Sequence, residues 1–528
     1  LNQKKKKRKM FKIKKVLISD SVDEAAIEIL RQKQIECDLR VGLDETKLIK
    51  IIPEYDALIV RSSTQVNKNI IEAGTSLKLI GRAGVGVDNI DLDAATNAGI
   101  VVINAPGGNT ISAVELTCAM ILTTSRHVAQ ACHSLKQNVW DRKSFMGNEI
   151  KGKTLAIIGL GRIGREVAFR MQSFGMRTIG FDPIVTTEQA KSFGVESMSL
   201  DEIWPQADYI TVHTPLIPQT KNLINAKTLA KCRKGVRIIN VARGGIVNEN
   251  DLLDALKSGQ CAGAGLDVFQ EEPPTNTDLI KHPLVVCTPH LGASTKEAQI
   301  NVAKEIAEQF IEIINGKSVP GVVNAPLLSE MLQHRNLIWI RLGKNLGRLV
   351  ATNHNKTQSF KVTIDGFEAI KVSKLIFETI MMGFLSVKTG SEVKMISVSK
   401  MAEKHSISGQ LMIGSDKCCF SSVTVETVTG EKFVGIPQGR RTYLAEMNGH
   451  RFEPVILMEG NLSLLQFKSN KERKLSELFE LFENEIISVT RSNCCTNESN
   501  PIYCLHSKKS LNFKSILDDL VFVDQLEF

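Results

Sequence analysis

Three side chains in this sequence have the types and the spacing for redox chemistry on a small acid. Arg243 lies in Val241-Ala242-Arg243-Gly244-Gly245, Glu272 in Glu271-Glu272-Pro273, and His290 in Pro289-His290-Leu291-Gly292. A guanidinium is a planar fork that grips a carboxylate through two hydrogen bonds. An imidazole titrates near neutrality and can take or return a proton. A carboxylate beside it orients the ring and favours its charged form. Together the three groups suit a 2-hydroxy acid held by its carboxylate, with its hydroxyl proton removed as hydride leaves the same carbon. Arg243, Glu272 and His290 are therefore the expected catalytic residues. Gly244, Gly245 and Gly292 beside them indicate backbone packed closely against a ligand. His213 and His282 read as structural.

Hydride needs an acceptor, and a second motif supplies a place for one. Thr154–Ile158 reads as a strand, Gly159-Leu160-Gly161-Arg162-Ile163-Gly164 as a turn, and Arg165–Phe174 as a helix. In that context the glycines form a dinucleotide cradle. Gly159 permits the tight turn, Gly161 lets the backbone approach a pyrophosphate, and Gly164 lets helix and strand close together. The anion then lies on free N–H groups at a helix start. Asp182 follows Gly159 by 23 residues at the end of the next strand. A carboxylate there accepts from the ribose hydroxyls and repels a 2′-phosphate, so the expected cofactor is NAD rather than NADP.

These motifs need strands and helices to place them, and the pattern provides both. Val16–Ser19, Ala57–Arg61, Leu77–Arg82 and Val101–Asn104 read as strands, with a helix at Asp23–Gln32. Asn104–Gly108 is a loop, and the capping-box spacing of Ser112 and Glu115 predicts a long helix after it. A second series adds strands at Thr178–Phe181, Tyr209–His213, Arg237–Val241, Gly265–Val268 and Val285–Thr288, then a helix at Lys296–Ile314. Such alternation predicts parallel sheets with helices on both faces. Beyond Leu327 no catalytic pattern appears. Residues 355–455 read as α+β. Leu462–Phe467, Lys471–Phe482, Ile486–Arg491, Ile502–His506, Asn512–Asp519 and Leu520–Val523 give β-α-β-β-α-β, a ferredoxin-like order.

The bulk numbers narrow the class. At 528 residues the length suggests roughly three or four domains. No stretch reaches the roughly 20 apolar residues that span a bilayer, so no membrane partner is expected. The net charge of +9 belongs to residues 1–15, which hold nine cations and no acid; the other 57 cations balance 57 acids. The basic run reads as a solvated tail. Met10 is a plausible start within it. The neutral remainder offers no face for nucleic acid. The 11 cysteines are scattered without metal spacing, so neither zinc nor a structural disulfide is expected, in a cytoplasmic protein.

The motifs together resemble the D-isomer-specific 2-hydroxyacid dehydrogenases: Gly159–Gly164, His213-Thr214-Pro215-Leu216, Val241–Gly245, Leu266–Pro274 and Pro289–Lys296. Within that family, Val16–Asp20, Gly81–Asn89, Met171–Met176 and Leu291–Gln299 resemble the animal branch that oxidises 3-phosphoglycerate to 3-phosphohydroxypyruvate with NAD. The resemblance covers about residues 15–325. It implies cofactor contacts at Val85, Arg162, Ile163, Asp182, Thr214, Val241, Ala242, Arg243, Asp267, His290, Gly292 and Ala293, beside Gly159, Gly161 and Gly164. It implies substrate contacts at Arg61, Arg82, Val85, Gly86, Asn109, Arg142, Arg243 and His290, with Arg142 reaching a neighbouring subunit's site. Val85 stands where these enzymes usually carry threonine. The implied partners are a small phosphorylated 2-hydroxy acid and further copies of the chain, as a homodimer or homotetramer.

The implied fold class is α/β: two doubly wound Rossmann-like parallel-sheet domains with a cleft between them, plus α+β C-terminal domains. The expected boundaries are a basic disordered tail at 1–14, a discontinuous substrate domain at 15–107 and 291–325, and an NAD-binding domain at 108–290. An intervening domain covers 326–455 and a degenerate ACT-like domain 456–528. Glu483-Asn484-Glu485-Ile486 lacks the glycine that usually lines an ACT amino-acid site, so serine is not expected to bind there. Two other functions use the same scaffold: hydroxypyruvate or glyoxylate reduction, and a non-enzymatic NAD(H)-sensing co-repressor. Formate oxidation is disfavoured by Glu272, which matches the acid/base form of the site.

Overall fold

The computed structural model describes residues 12–353, 358–418, 420–468, 484–494, 500–511, 520–528 and a few single positions at 476–482 and 513. The basic run at 1–11 lies outside them. Residues 12–14, expected in the tail, pack instead on the first sheet. Ile13 is apolar and buried in its core, and Lys14 donates its backbone N–H to Asp56.

That sheet is parallel. Its strands are β1 (Lys15–Ile18), β2 (Glu36–Leu39), β3 (Ala57–Val60), β4 (Leu79–Arg82) and β5 (Val101–Asn104), in the order β2-β1-β3-β4-β5. The chain returns to it much later. Helix Lys296–Ile314 turns Val302, Ile306, Phe310 and Ile313 into the same core as Val16, Leu79 and Val101. Gly81 makes this possible, because a Cβ there would collide with the Phe310 ring. Asn324 then clips the returning segment to β5, accepting from Val102 N–H at 2.8 Å and donating to Ile100 O at 2.9 Å.

The second sheet is also parallel: β6 (Thr154–Ile158), β7 (Arg177–Phe181), β8 (Glu196–Ser197), β9 (Tyr209–Val212), β10 (Val236–Asn240), β11 (Cys261–Leu266) and β12 (Val285–Cys287), ordered β12-β11-β10-β9-β6-β7-β8. The order reverses between β6 and β9, the switch point at whose carboxyl edge such sheets bind ligands. β11 begins four residues before its expected start and ends at Leu266. Its sequence Cys-Ala-Gly-Ala-Gly-Leu has weak strand propensity, yet Gly265 must be small because Met120 packs on it. The long helix spans Thr110–Arg126, but Ser112 is not its cap. Asn109 holds the N-cap position without a side-chain bond, and Ser112 lies buried inside the first turn. A three-residue shift of the helix start, with the N-cap at Asn109 rather than Ser112, accounts for the misplaced capping box.

The C-terminal part is a mixed ten-stranded sheet running from residue 359 to 527. Its last four strands in the sequence are Asn461–Phe467, Ile486–Cys494, Ile502–Ser507 and Leu520–Glu527. All pair antiparallel. Ile502–Ser507 lies between Ile486–Cys494 and Asn461–Phe467, and Leu520–Glu527 lies on the far side of Asn461–Phe467. This is the ferredoxin-like strand order. The helices expected at Lys471–Phe482 and Asn512–Asp519 fall largely outside the described residues. Strand Ile486–Cys494 also pairs with strand His450–Leu457, joining this unit's sheet to the preceding one. Among the described residues no helix is long and apolar enough to cross a membrane.

Because Phe310 is fully buried between the returning helix and β4, Phe310→Ala should cost about 3–5 kcal/mol in the unfolding of that unit. Calorimetry should record a lowered transition for this unit, with the transition of the second sheet's unit little changed.

Candidate active site

The glycine turn after β6 has the geometry of a cradle. Gly159 adopts φ +98°, a left-handed conformation, and a Cβ there would lie 2.5 Å from His213 O. At Gly164 a Cβ would strike Gly159 O. At Gly161 it would meet nothing within 4 Å, so open space lies over the start of helix Arg162–Ser173. Gly161 is that helix's N-cap and places no side-chain acceptor on its first N–H groups. Asp182 accepts from Leu160 N–H at 2.8 Å and from Ile184 N–H at 2.8 Å, locking the turn to the end of β7. Thr214 lies against Gly159, with its hydroxyl buried and without a partner among the described residues. An unfilled helix start, an orphan hydroxyl and a carboxylate at the next strand end fit a dinucleotide. Burial pushes the His213 imidazole down to about 4, so it is neutral at physiological pH, as a structural histidine should be.

His290 is held from below by Asp267. The Asp267 carboxylate is fully buried and accepts from Thr288 Oγ1 at 2.5 Å, Leu291 N–H at 2.7 Å and Gly292 N–H at 2.8 Å. Between these anchors His290 takes φ +55°, unusual for a side chain of its size, with its N–H donating to Asp267 O at 2.8 Å. The ring then meets Glu272: Nδ1 lies 2.7 Å from Oε2. Glu272 is fixed in turn, its Oε1 accepting from Phe269 N–H at 3.2 Å. Nε2 is left for a reacting group.

Arg243 follows β10, two strands from β12. Asn240 sets its loop, donating to Arg243 O at 2.8 Å and accepting from Ala242 N–H at 3.0 Å. Gly244 passes so close to Phe269 O that no Cβ fits, which joins the arginine loop to the Glu272 loop. Arg243 donates Nε to Asp88 at 3.1 Å, and its Nη2 lies against Gly86 where a Cβ would otherwise be. The loop after β4 thus meets the loop after β10.

Of the substrate-side expectations, Arg61 and Arg82 come from the first sheet, and Arg82 feels the charges of Arg61 and Arg243. Arg61 and Arg82 both have a buried Nε without a hydrogen-bond partner among the described residues. Burial pushes Arg82 down to about 10, and the like charges of Arg243 and Arg61 add to the effect against Asp88 and Asp20. It remains cationic at neutral pH. Three guanidiniums with so few acids among them call for an anion. Asn109 adds a buried, unpartnered Oδ1 at the start of helix Thr110–Arg126. Val85 offers its carbonyl to Asn104 at 2.6 Å. Arg162 is exposed beside the cradle, with Ile163 half-buried; Val241 is buried under the arginine loop, and Ala293 O accepts from Gln299. Arg142 is exposed on the segment after helix Val128–Lys136 and bonds to none of these residues. Sequence reasoning missed Asp88 and Asn240; the first lies inside the quoted Gly81–Asn89 motif, and the second directly precedes Val241.

The comparisons agree with this geometry. Residues 118–292 match the model of the D-isomer specific 2-hydroxyacid dehydrogenase NAD binding domain. The human D-3-phosphoglycerate dehydrogenase is 44% identical over 469 residues, covering 87% of each chain. The chain belongs to the D-isomer-specific 2-hydroxyacid dehydrogenases. Its relatives cross kingdoms: the Bacillus subtilis D-3-phosphoglycerate dehydrogenase is 41% identical over 423 residues, 79% of each chain. A D-lactate dehydrogenase from Aquifex aeolicus, solved with NAD and lactic acid, superposes with a TM-score of 0.52 at 28% identity, over 57% of this chain and 96% of its own. As a member of this family, the chain is an NAD-dependent dehydrogenase.

Two variants test the geometry. Asp88→Asn should raise KM for the substrate about two- to fivefold, the value of one partly exposed ion pair, and leave the NADH Kd unchanged; steady-state kinetics beside NADH fluorescence titration would read both. Asp182→Ala should cut the preference for NAD over NADP by about tenfold or more, read as the ratio of kcat/KM values.

Proposed function

We propose that this chain oxidises 3-phosphoglycerate to 3-phosphohydroxypyruvate, the first step of phosphorylated serine biosynthesis. The observation that carries the reading is the contact of His290 Nδ1 with Glu272 at 2.7 Å, at the edge of the second sheet that also carries Arg243, whose charge acts on Arg82 of the first sheet together with that of Arg61. Arg243 grips the substrate carboxylate. His290 Nε2 takes the C2 hydroxyl proton, and Glu272 stabilises the imidazolium that forms. Arg61 and Arg82, with the backbone of the Gly84–Val87 loop and Asn109, hold the remaining polar groups, the phosphate among them. NAD, held at Gly159–Gly164, Asp182, Thr214 and the Val241–Ala242, Asp267 and Gly292–Ala293 loops, supplies the hydride acceptor when bound. Closure of the two sheets' units on each other would keep water from the reacting carbon.

Organisation and setting belong to the same proposal. The proposed units are 12–107 with 291–325 for substrate and 108–290 for NAD, followed by a C-terminal part in which one core and one sheet run across the division expected near 455. A homodimer or homotetramer is supported by the segment around Arg142, which exposes Val139, Trp140 and Met146. A cytoplasmic setting is supported by the eight cysteines whose side chains are described, all of them free.

The test is an NADH-absorbance assay with 3-phosphoglycerate. Wild type should prefer it to unphosphorylated hydroxy acids by orders of magnitude in kcat/KM. His290→Ala should lose about 10²–10⁴-fold in kcat and keep its NADH affinity. A variant with a tenth of the wild-type rate would remove His290 from the acid/base role.

A further inference from the structure

A second cationic pocket lies on the opposite edge of the NAD-binding sheet. It forms at the amino ends of β6, β9, β10 and β11, a strand length or roughly 15 Å from the edge that carries Gly159, Arg243 and His290. Its cavity holds about 300 Å³ and is lined by Lys153, Asp208, Tyr209, Arg233, Lys234 and Arg237, among others. Its floor is Arg237, which is only 8% exposed. The guanidinium lies over the Tyr209 ring at 5.4 Å, which steadies it and leaves its N–H edge free. Its Nε is buried without a partner, and no hydrogen bond to the guanidinium is found among the described residues.

The single acid in the lining does not answer this charge. Asp208 is engaged by Thr154 N–H at 2.9 Å and by Arg233 at 3.0 Å. Lys153 and Lys234 form no ion pair among the described residues, so three cations face one cavity uncompensated. A buried cation without a partner is costly, and a pocket that retains one is built for an anion. The volume suits a small molecule rather than a polymer. A phosphate dianion would meet both the arginine fork and the two lysines.

We propose that this pocket binds a small phosphate-bearing anion, separate from the catalytic cleft. The experiment is calorimetric titration of the assembled, NADH-saturated enzyme with inorganic phosphate and, separately, with glycerol 3-phosphate. Wild type should bind with a component that Lys153→Ala/Lys234→Ala weakens at least tenfold. The same double variant should keep the wild-type kcat and KM for 3-phosphoglycerate, and Lys153→Arg/Lys234→Arg should restore binding. Arg237→Gln, if folded by circular dichroism, should abolish the component. A preference for inorganic phosphate or for the ester identifies which source of phosphate the pocket takes. Identical isotherms in wild type and the double variant, the absence of binding, or a partner chain's carboxylate seated on Arg237 in the assembled protein would each overturn the proposal.

Discussion

The active edge depends on one buried carboxylate. Asp267 has no exposed surface, and an ionised group so placed is tolerated only when its lone pairs are filled. Thr288, Leu291 and Gly292 fill them, and each bond fixes a point on the loop that carries His290. The left-handed backbone at His290 costs energy in isolation and persists because this clamp over-determines it. The ring is therefore placed by the fold before any ligand arrives. Glu272 has only to meet it, which it does from a loop that is itself tied to Phe269.

Charge organises the other wall. Arg243, Arg82 and Arg61 come from the ends of three strands in two sheets; burial works against the charge of Arg82 and of Arg61, and the neighbouring guanidiniums add to it at Arg82. Asp88 and Asp20 relieve part of it: Asp88 bonds Arg243, and Asp20 holds the Arg61 backbone at 2.6 Å. The remainder leaves a surplus of donors where, under the proposed function, an acid bearing both a carboxylate and a phosphate would be bound. Under the proposed function, selectivity for a phosphorylated substrate would rest on the same groups that join the two units.

The C-terminal half is bound to this machinery lightly. Lys394 reaches Ala98 O at 2.8 Å and Lys400 pairs with Asp93 at 3.1 Å, both on the helix and turn that precede β5. Within that half, helices Leu337–Asn353 and Ser373–Thr389 pack so closely that a Cβ at Gly347 or Gly383 would strike the partner backbone. One core runs from Trp339 through Val423 and Val425 in the sheet to Leu526, so the ferredoxin-like strands do not form an isolated module.

Much of this was legible before folding, because strands that are buried on both faces read as short apolar runs and glycine motifs announce their own geometry. Thr154–Ile158 and Val101–Asn104 begin and end where the pattern put them. The start of helix Thr110–Arg126 and the limits of β11 were less legible: Asn109 caps without a side-chain bond, and β11 owes its strand to neighbours rather than to its alanines and glycines. By itself the sequence determined the local chemistry, namely which loops carry an arginine, a glutamate, a histidine and a phosphate cradle, since residue type and spacing act over a few positions. Only the tertiary structure decided that Asp88 reaches Arg243 across 155 residues, that Asp267 holds the His290 loop, and that Arg237 lies over Tyr209 with its Nε buried and without a hydrogen-bond partner among the described residues. Such contacts arise when strand order brings distant residues together, and no local pattern records them.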